Sequence, residues 1–246
     1  MRATPALLQH LAVVTGAGSG IGRAIVLELA RRGVTCCLVS RRISRLKNVV
    51  RLTAKLGVES IPIAVDLCDP GAPGVIDRKI KALGRKVGLL VHSAGMIRYS
   101  QVASSHIGEF SDLVAVNLLA PFALTKLFLA DICKTRGQIV FINSSVVNHP
   151  ASGTAQYAAT KHALKGFADG LRQELNARGV RVISIYPGRT ATPLQKSLCK
   201  LQGRTYLPRD LLQPADVASI VVHALALPHS AEVTDLMIRP AVKPKS

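Results

Sequence analysis

The chain has 246 residues, 48% of them hydrophobic. That is the length of one α/β domain with material for a full core, which excludes extended disorder. With 32 Lys and Arg against 14 Asp and Glu the formal charge is +18, which raises nucleic acid or an anionic membrane surface as partners. The arrangement of that charge argues against nucleic acid. Residues 1–100 hold 16 basic and 5 acidic residues and residues 101–246 hold 16 and 9, with no block of five like charges. Trp is absent and aromatic residues make up 4%, so platforms for stacking bases are scarce. Most of the charge reads as a solvated basic surface.

The elements follow in chain order. Leu11–Thr15 is a short apolar strand, and the apolar stretch around Leu7–Val14 is too short and too interrupted for a signal peptide. Gly20 to about Arg32 has helical spacing through Ile21, Ile25, Leu29 and Ala30, with Gly33 placed to cap it. Thr35–Ser40 is a strand, Ser44–Leu56 a basic helix and Ile61–Val65 a strand. Pro70–Gly74 reads as a loop, Val75–Leu83 as a helix and Val87–His92 as a fourth strand. Helical stretches flank a fifth strand, Gln138–Asn143. A long helix, Gln156–Ala177, ends before Gly179, and Val182–Tyr186 is a sixth strand. A loop containing Pro193 and Pro208 follows, then a helix from about Asp216 and a last strand near Asp235–Ile238. Strands alternating with helices predict an α/β fold, a Rossmann-like doubly wound parallel sheet of about seven strands in a single domain.

No window reaches the 18 or more apolar residues of a membrane helix. The nearest, Ala115–Cys133, contains Asn117, Pro121, Lys126 and Asp131 and reads as a buried or interface helix. Five cysteines show no C-x-x-C and no zinc spacing, which points to reduced thiols and a cytoplasmic setting.

Gly16, Gly18, Ser19, Gly20, Ile21 and Gly22 lie between the first strand and the first helix. Glycines there permit a tight turn and close approach to a pyrophosphate, and the helix N-terminus offers free N–H groups to its charge. The second strand ends Ser40-Arg41-Arg42, without the carboxylate that would bind the ribose hydroxyls of NAD. Arg41 is instead placed to pair with a 2′-phosphate, so NADP(H) is expected over NAD(H).

Tyr157 and Lys161 are four apart, on one face of the long helix. The strand before that helix ends Ile142-Asn143-Ser144-Ser145, at the sheet edge where ligands of open α/β sheets bind. Reducing a carbonyl takes a hydride on carbon and a proton on oxygen. A phenol serves that proton transfer near neutrality only if something favours its ionised form, and a neighbouring ammonium does so together with the positive nicotinamide of the oxidised complex. A serine hydroxyl can hold the substrate oxygen.

Together, T-G-A-G-S-G-I-G from Thr15 and Y-A-A-T-K from Tyr157 resemble the short-chain dehydrogenase/reductase family. The resemblance implies Tyr157 as acid/base, Lys161 lowering its pKa and holding the nicotinamide ribose, and Asn117 holding a water of the proton relay. It implies Ser144 as the catalytic serine, 13 residues before Tyr157, with Ser145 as the alternative. Asp66 and Leu67 resemble the family's adenine contacts, and Ala94-Gly95 its close approach to the cofactor. Pro187, Gly188, Thr190 and Thr192 resemble the stretch that meets the nicotinamide carboxamide. One departure is His92-Ser93-Ala94-Gly95 where the family usually has N-N-A-G. Whether His92 replaces the first Asn or is simply packed below the site is open.

The expected activity is hydride transfer between NADP(H) and a small-molecule carbonyl or secondary alcohol. The competing classes are a catalytically idle dinucleotide-binding redox sensor and an anionic-surface binder. Lys196, Lys200, Arg204 and Arg209 in the segment Gln195–Gln213 suit an anionic substrate, while Leu194, Leu198, Leu201, Tyr206 and Leu207 suit an apolar one. Apolar helices at Leu113–Cys133 and Gln156–Ala177 predict a homodimer or homotetramer.

Overall fold

Burial on both faces makes the strands of this chain short and almost wholly apolar. The computed structural model describes residues 10–242, so the start of the N-terminal apolar stretch lies outside them. The strands are β1 (Leu11–Thr15), β2 (Cys36–Ser40), β3 (Ser60–Ala64), β4 (Val87–His92), β5 (Gln138–Ile142), β6 (Arg181–Pro187) and β7 (Asp235–Ile238). They form one parallel seven-stranded sheet in the order β3-β2-β1-β4-β5-β6-β7. The fold class is therefore as expected. The order reverses between β1 and β4, the switch point at which such sheets bind ligands.

The helices are α1 (Gly20–Ala30), α2 (Ile43–Ala54), α3 (Ala72–Lys81), α4 (Ile107–Val114), α5 (Ala120–Lys134), α6 (Ala155–Leu175), α7 (Pro193–Leu201) and α8 (Pro214–Leu225). On one face Ile25 and Leu29 of α1, Leu46 of α2 and Val217 and Val221 of α8 pack on Ala12, Val14 and Leu38. On the other, Ile76 of α3, Leu124 and Phe128 of α5 and Leu164 of α6 pack on Val13, Leu90 and Phe141.

Three helix starts depart from the sequence reading because a proline read as a breaker sits in a first turn. There its missing N–H costs nothing. Helix α3 begins at Ala72, inside the expected loop, with Pro73 in its first turn. The expected loop after β6 contains α7, which starts at Pro193 behind Thr192, whose hydroxyl accepts from the Gln195 N–H at 3.2 Å. Helix α8 begins at Pro214, and Asp216 reaches back to the Gln213 N–H at 2.8 Å.

Helices α4 and α5 run on through a π-helical turn, Ala115–Leu119, that holds Asn117. The resulting 28-residue helix, Ile107–Lys134, is long and apolar enough to cross a membrane by length and composition, which corrects the expectation that no window qualifies. Leu124, Phe128 and Ile132 spend its apolar surface in the core.

Candidate active site

Parallel strands deliver their C-terminal ends to one edge, so the turns after β1, β4, β5 and β6 meet there. They surround a cavity of about 950 Å³, at the large end for small-molecule sites. Gly16, Ser19, Gly20, Ile21 and Gly22 form one end, and Ser144, Ser145, Tyr157 and Lys161 line the same space. Ala94, Gly95, Pro187, Gly188, Thr190 and Thr192 complete its wall.

The glycine turn is fixed by its neighbours. Gly16 has φ +67°, and a Cβ there would stand 2.7 Å from the Ser93 carbonyl oxygen and 2.8 Å from the Ala94 nitrogen. A Cβ on Gly22 would stand 2.6 Å from the Gly16 carbonyl oxygen. Thr15 supports the same junction, its Oγ1 accepting from the Ser93 and Ala94 N–H groups at 3.0 Å each. The first turn of α1 has no acidic residue and no side-chain cap, which leaves its N–H groups to face an anion.

Gly18, Ser40, Arg41, Asp66 and Leu67 lie outside the wall of this cavity. They form the neighbouring end of β2 and β3. A Cβ on Gly18 would come within 3.1 Å of Ser40 Oγ and 3.2 Å of Arg45 Cβ, so Arg45 joins this corner unforeseen. Arg41 Nη1 is 3.8 Å from Asp66 Oδ2, and both side chains are exposed to solvent.

Ser144 follows β5 and caps a short 3₁₀ turn, its Oγ accepting from the Val146 N–H at 3.2 Å. Its side chain also neighbours the Tyr157 phenol and favours the ionised form, whereas Ser145 begins the turn. Tyr157 and Lys161 are buried. Lys161 Nζ donates to the Ile142 carbonyl at 3.0 Å, and Asn143 Nδ2 ties the Lys161 carbonyl to the end of β5 at 3.2 Å. Burial without a carboxylate partner pushes the Lys161 ammonium down to about 8. Burial raises the Tyr157 phenol, and the neighbouring Ser144 hydroxyl only partly opposes this. In the protein without cofactor, removal from water outweighs the groups that favour the phenolate.

Asn117 stands beside the cavity. Its Oδ1 accepts from the Met96 N–H at 2.9 Å, and its Nδ2 donates to the Met96 carbonyl and to Thr160 Oγ1. A Cβ on Gly95 would lie 3.7 Å from Asn117 Oδ1 and 4.0 Å from Lys161 Nζ. Thr160, one residue before Lys161, was not expected to take part.

His92 is the packed histidine of the two readings left open. It stacks on Phe141 at 4.9 Å, and its Nε2 shares a 3.0 Å hydrogen bond with Thr125 Oγ1. Burial lowers its pKa to about 3, so the ring is neutral. Of the four cations expected to face substrate, only Arg204 lines the cavity; Lys196, Lys200 and Arg209 do not. Arg189, Arg239 and His149 do, and sequence reading missed all three.

A short-chain dehydrogenase family model matches residues 10–202. An uncharacterized short-chain type dehydrogenase/reductase of Sinorhizobium fredii is 32% identical over 240 residues, covering 94% of this chain and 91% of that protein. An alcohol dehydrogenase from the archaeon Thermococcus sibiricus, complexed with 5-hydroxy-NADP, superposes with a TM-score of 0.86 at 27% identity, over 96% of this chain and 99% of that one. A metagenomic short-chain oxidoreductase in complex with NADP gives 0.83 at 27% identity, over 97% and 100%. The turn after β1, the Tyr157–Lys161 pair and the match over most of its length place this chain in the short-chain dehydrogenase family of oxidoreductases.

Proposed function

We propose that this protein transfers a hydride between NADP(H) and a carbonyl or secondary alcohol substrate. The observation that carries the reading is the meeting of the Ser144 hydroxyl, the Tyr157 phenol and the Lys161 ammonium in a cavity whose other end is the glycine turn. The cofactor fits on two counts. Gly16 and Gly22 leave a backbone surface that any Cβ would fill, and the uncapped N-terminus of α1 suits a pyrophosphate. Arg41 at the end of β2, with no carboxylate in Ser40-Arg41-Arg42, favours the 2′-phosphorylated form, and the NADP-bound relatives of known structure agree.

When bound, the nicotinamide supplies or accepts the hydride. The protein's part is to hold and move a proton. In reduction, Ser144 Oγ holds the substrate oxygen and the Tyr157 hydroxyl delivers its proton there. Lys161, protonated at neutral pH, then stabilises the phenolate, holds the cofactor ribose and passes a proton back. Asn117, fixed by Met96 and Thr160, positions a water behind Lys161. A redox sensor without turnover would not require the Ser144–Tyr157 contact. Exposed Leu119 and Phe122 on the long helix suit self-association as a dimer or tetramer. Initial rates on a panel of ketones and aldehydes test the proposal. NADPH-dependent turnover that exceeds turnover with NADH is the expected result, and no consumption of either cofactor sinks it.

A further inference from the structure

We propose that the substrate is an oxo or hydroxy acid, whose carboxylate is held by Arg189, Arg204 and Arg239. The proposal rests on the hydride-transfer reading above and adds the charge of the molecule being turned over. Among the described residues no carboxylate lines the cavity, and besides Lys161 its charged wall consists of these three arginines, with His149 beside them. None of the three makes an ion pair among the described residues. In a chain with 14 acidic residues elsewhere, three uncompensated guanidinium groups around one cavity define its sign.

They come from the segments after β6, α7 and β7, whereas the glycine turn follows β1. Thr192, at the start of α7, lies over the glycine turn, where a Cβ on Gly20 would be 3.0 Å from Thr192 Cγ2. Nine helical residues lead away from it and span about 13 Å. Arg204 follows at the far end of that helix, its N–H bonded to the Cys199 carbonyl at 2.9 Å. Arg189 continues from Gly188 at the end of β6, and Arg239 follows β7 on the other side of that glycine. A Cβ on Gly188 would be 3.3 Å from the Arg239 Cα. Arg189 is half-buried, and Arg204 and Arg239 are exposed. Guanidinium forks match a carboxylate bidentately, and the apolar side chains of Ile97, Val146 and Leu198 in the same wall suit a hydrocarbon body on that acid.

The test uses the whole protein loaded with NADP⁺. Calorimetry measures its affinity for straight-chain 2-oxo and 3-oxo acids, each beside its methyl ester. The comparison is a triple variant, Arg189→Gln with Arg204→Gln and Arg239→Gln. At least one acid is expected to bind about tenfold tighter than its ester, and the triple variant to lose that preference while keeping its NADPH affinity. Equal affinity for acid and ester, a preference that survives in the triple variant, or no binding of any acid overturns the proposal. So does a matching loss of NADPH affinity, which would assign the arginines to the cofactor. Rates of NADPH oxidation are read in parallel. Acids that bind through the arginines but are never reduced support the anion site and defeat the hydride-transfer reading. Esters reduced as fast as acids do the reverse.

Discussion

The Lys161 ammonium lies 5.9 Å from the centre of the Tyr157 ring and donates a 3.0 Å hydrogen bond to the Ile142 carbonyl. Both side chains are buried, and burial moves both toward their neutral forms. Tyr157→Phe keeps the ring in place and removes the transferable proton. Turnover of any accepted ketone should fall by about a hundred- to ten-thousand-fold while NADPH affinity stays near wild type. Steady-state rates and cofactor titration check both halves.

The same burial makes Lys161 costly for the fold. Its pKa falls from the ordinary 10.5 to about 8, so the unfolded chain binds the extra proton between those values and stability climbs with pH across that window. Below pH 8 the charged side chain carries the full penalty. Lys161→Met should therefore stabilise the protein at neutral pH by roughly 1–3 kcal/mol, abolish turnover and flatten the rise above pH 8. Denaturant unfolding at several pH values measures this.

His92 acts in the same direction at lower pH. Its pKa is lowered from 6.5 to about 3, so stability present above 6.5 is lost as the pH falls toward 3. The slope from this one group is about 1.4 kcal/mol per pH unit. His92→Phe retains stacking on Phe141 and removes the titration, so acid unfolding should move to lower pH. An unchanged acid midpoint counts against a neutral His92.

Gly16 combines a left-handed backbone with backbone atoms at less than 3 Å from any added carbon. Gly16→Ala should cost about 2 kcal/mol or more and weaken NADPH binding further, because the turn must move away from Ser93 and Ala94. Thermal melting with and without NADPH separates the two effects.

Arg41 faces Asp66 across 3.8 Å at the exposed end of β2. Such an exposed pair contributes little to stability, so the fold should tolerate Arg41→Ala. The ratio of NADPH to NADH affinity should drop by about tenfold. An unchanged ratio assigns the 2′-phosphate to other residues, with Arg45 the first to examine.

Local patterns determined much of this protein from its sequence. Alternating apolar strands and helices gave the sheet, the glycine spacing marked the turn after β1, and a separation of four put Tyr157 and Lys161 on one helical face. These features depend on neighbours a few residues apart. The prolines at 73, 193 and 214 misled because a breaker within a helix and a first-turn residue look alike without the hydrogen bonds around them. The sheet order decided the rest. It brought Ser144, Ser145 and Tyr157 to one cavity, set the π-helical turn with Asn117 against Thr160, and gathered Arg189, Arg204 and Arg239 from separate segments around the same space. Burial, which arises only once distant segments pack, raised the Tyr157 phenol and made His92 a neutral core residue.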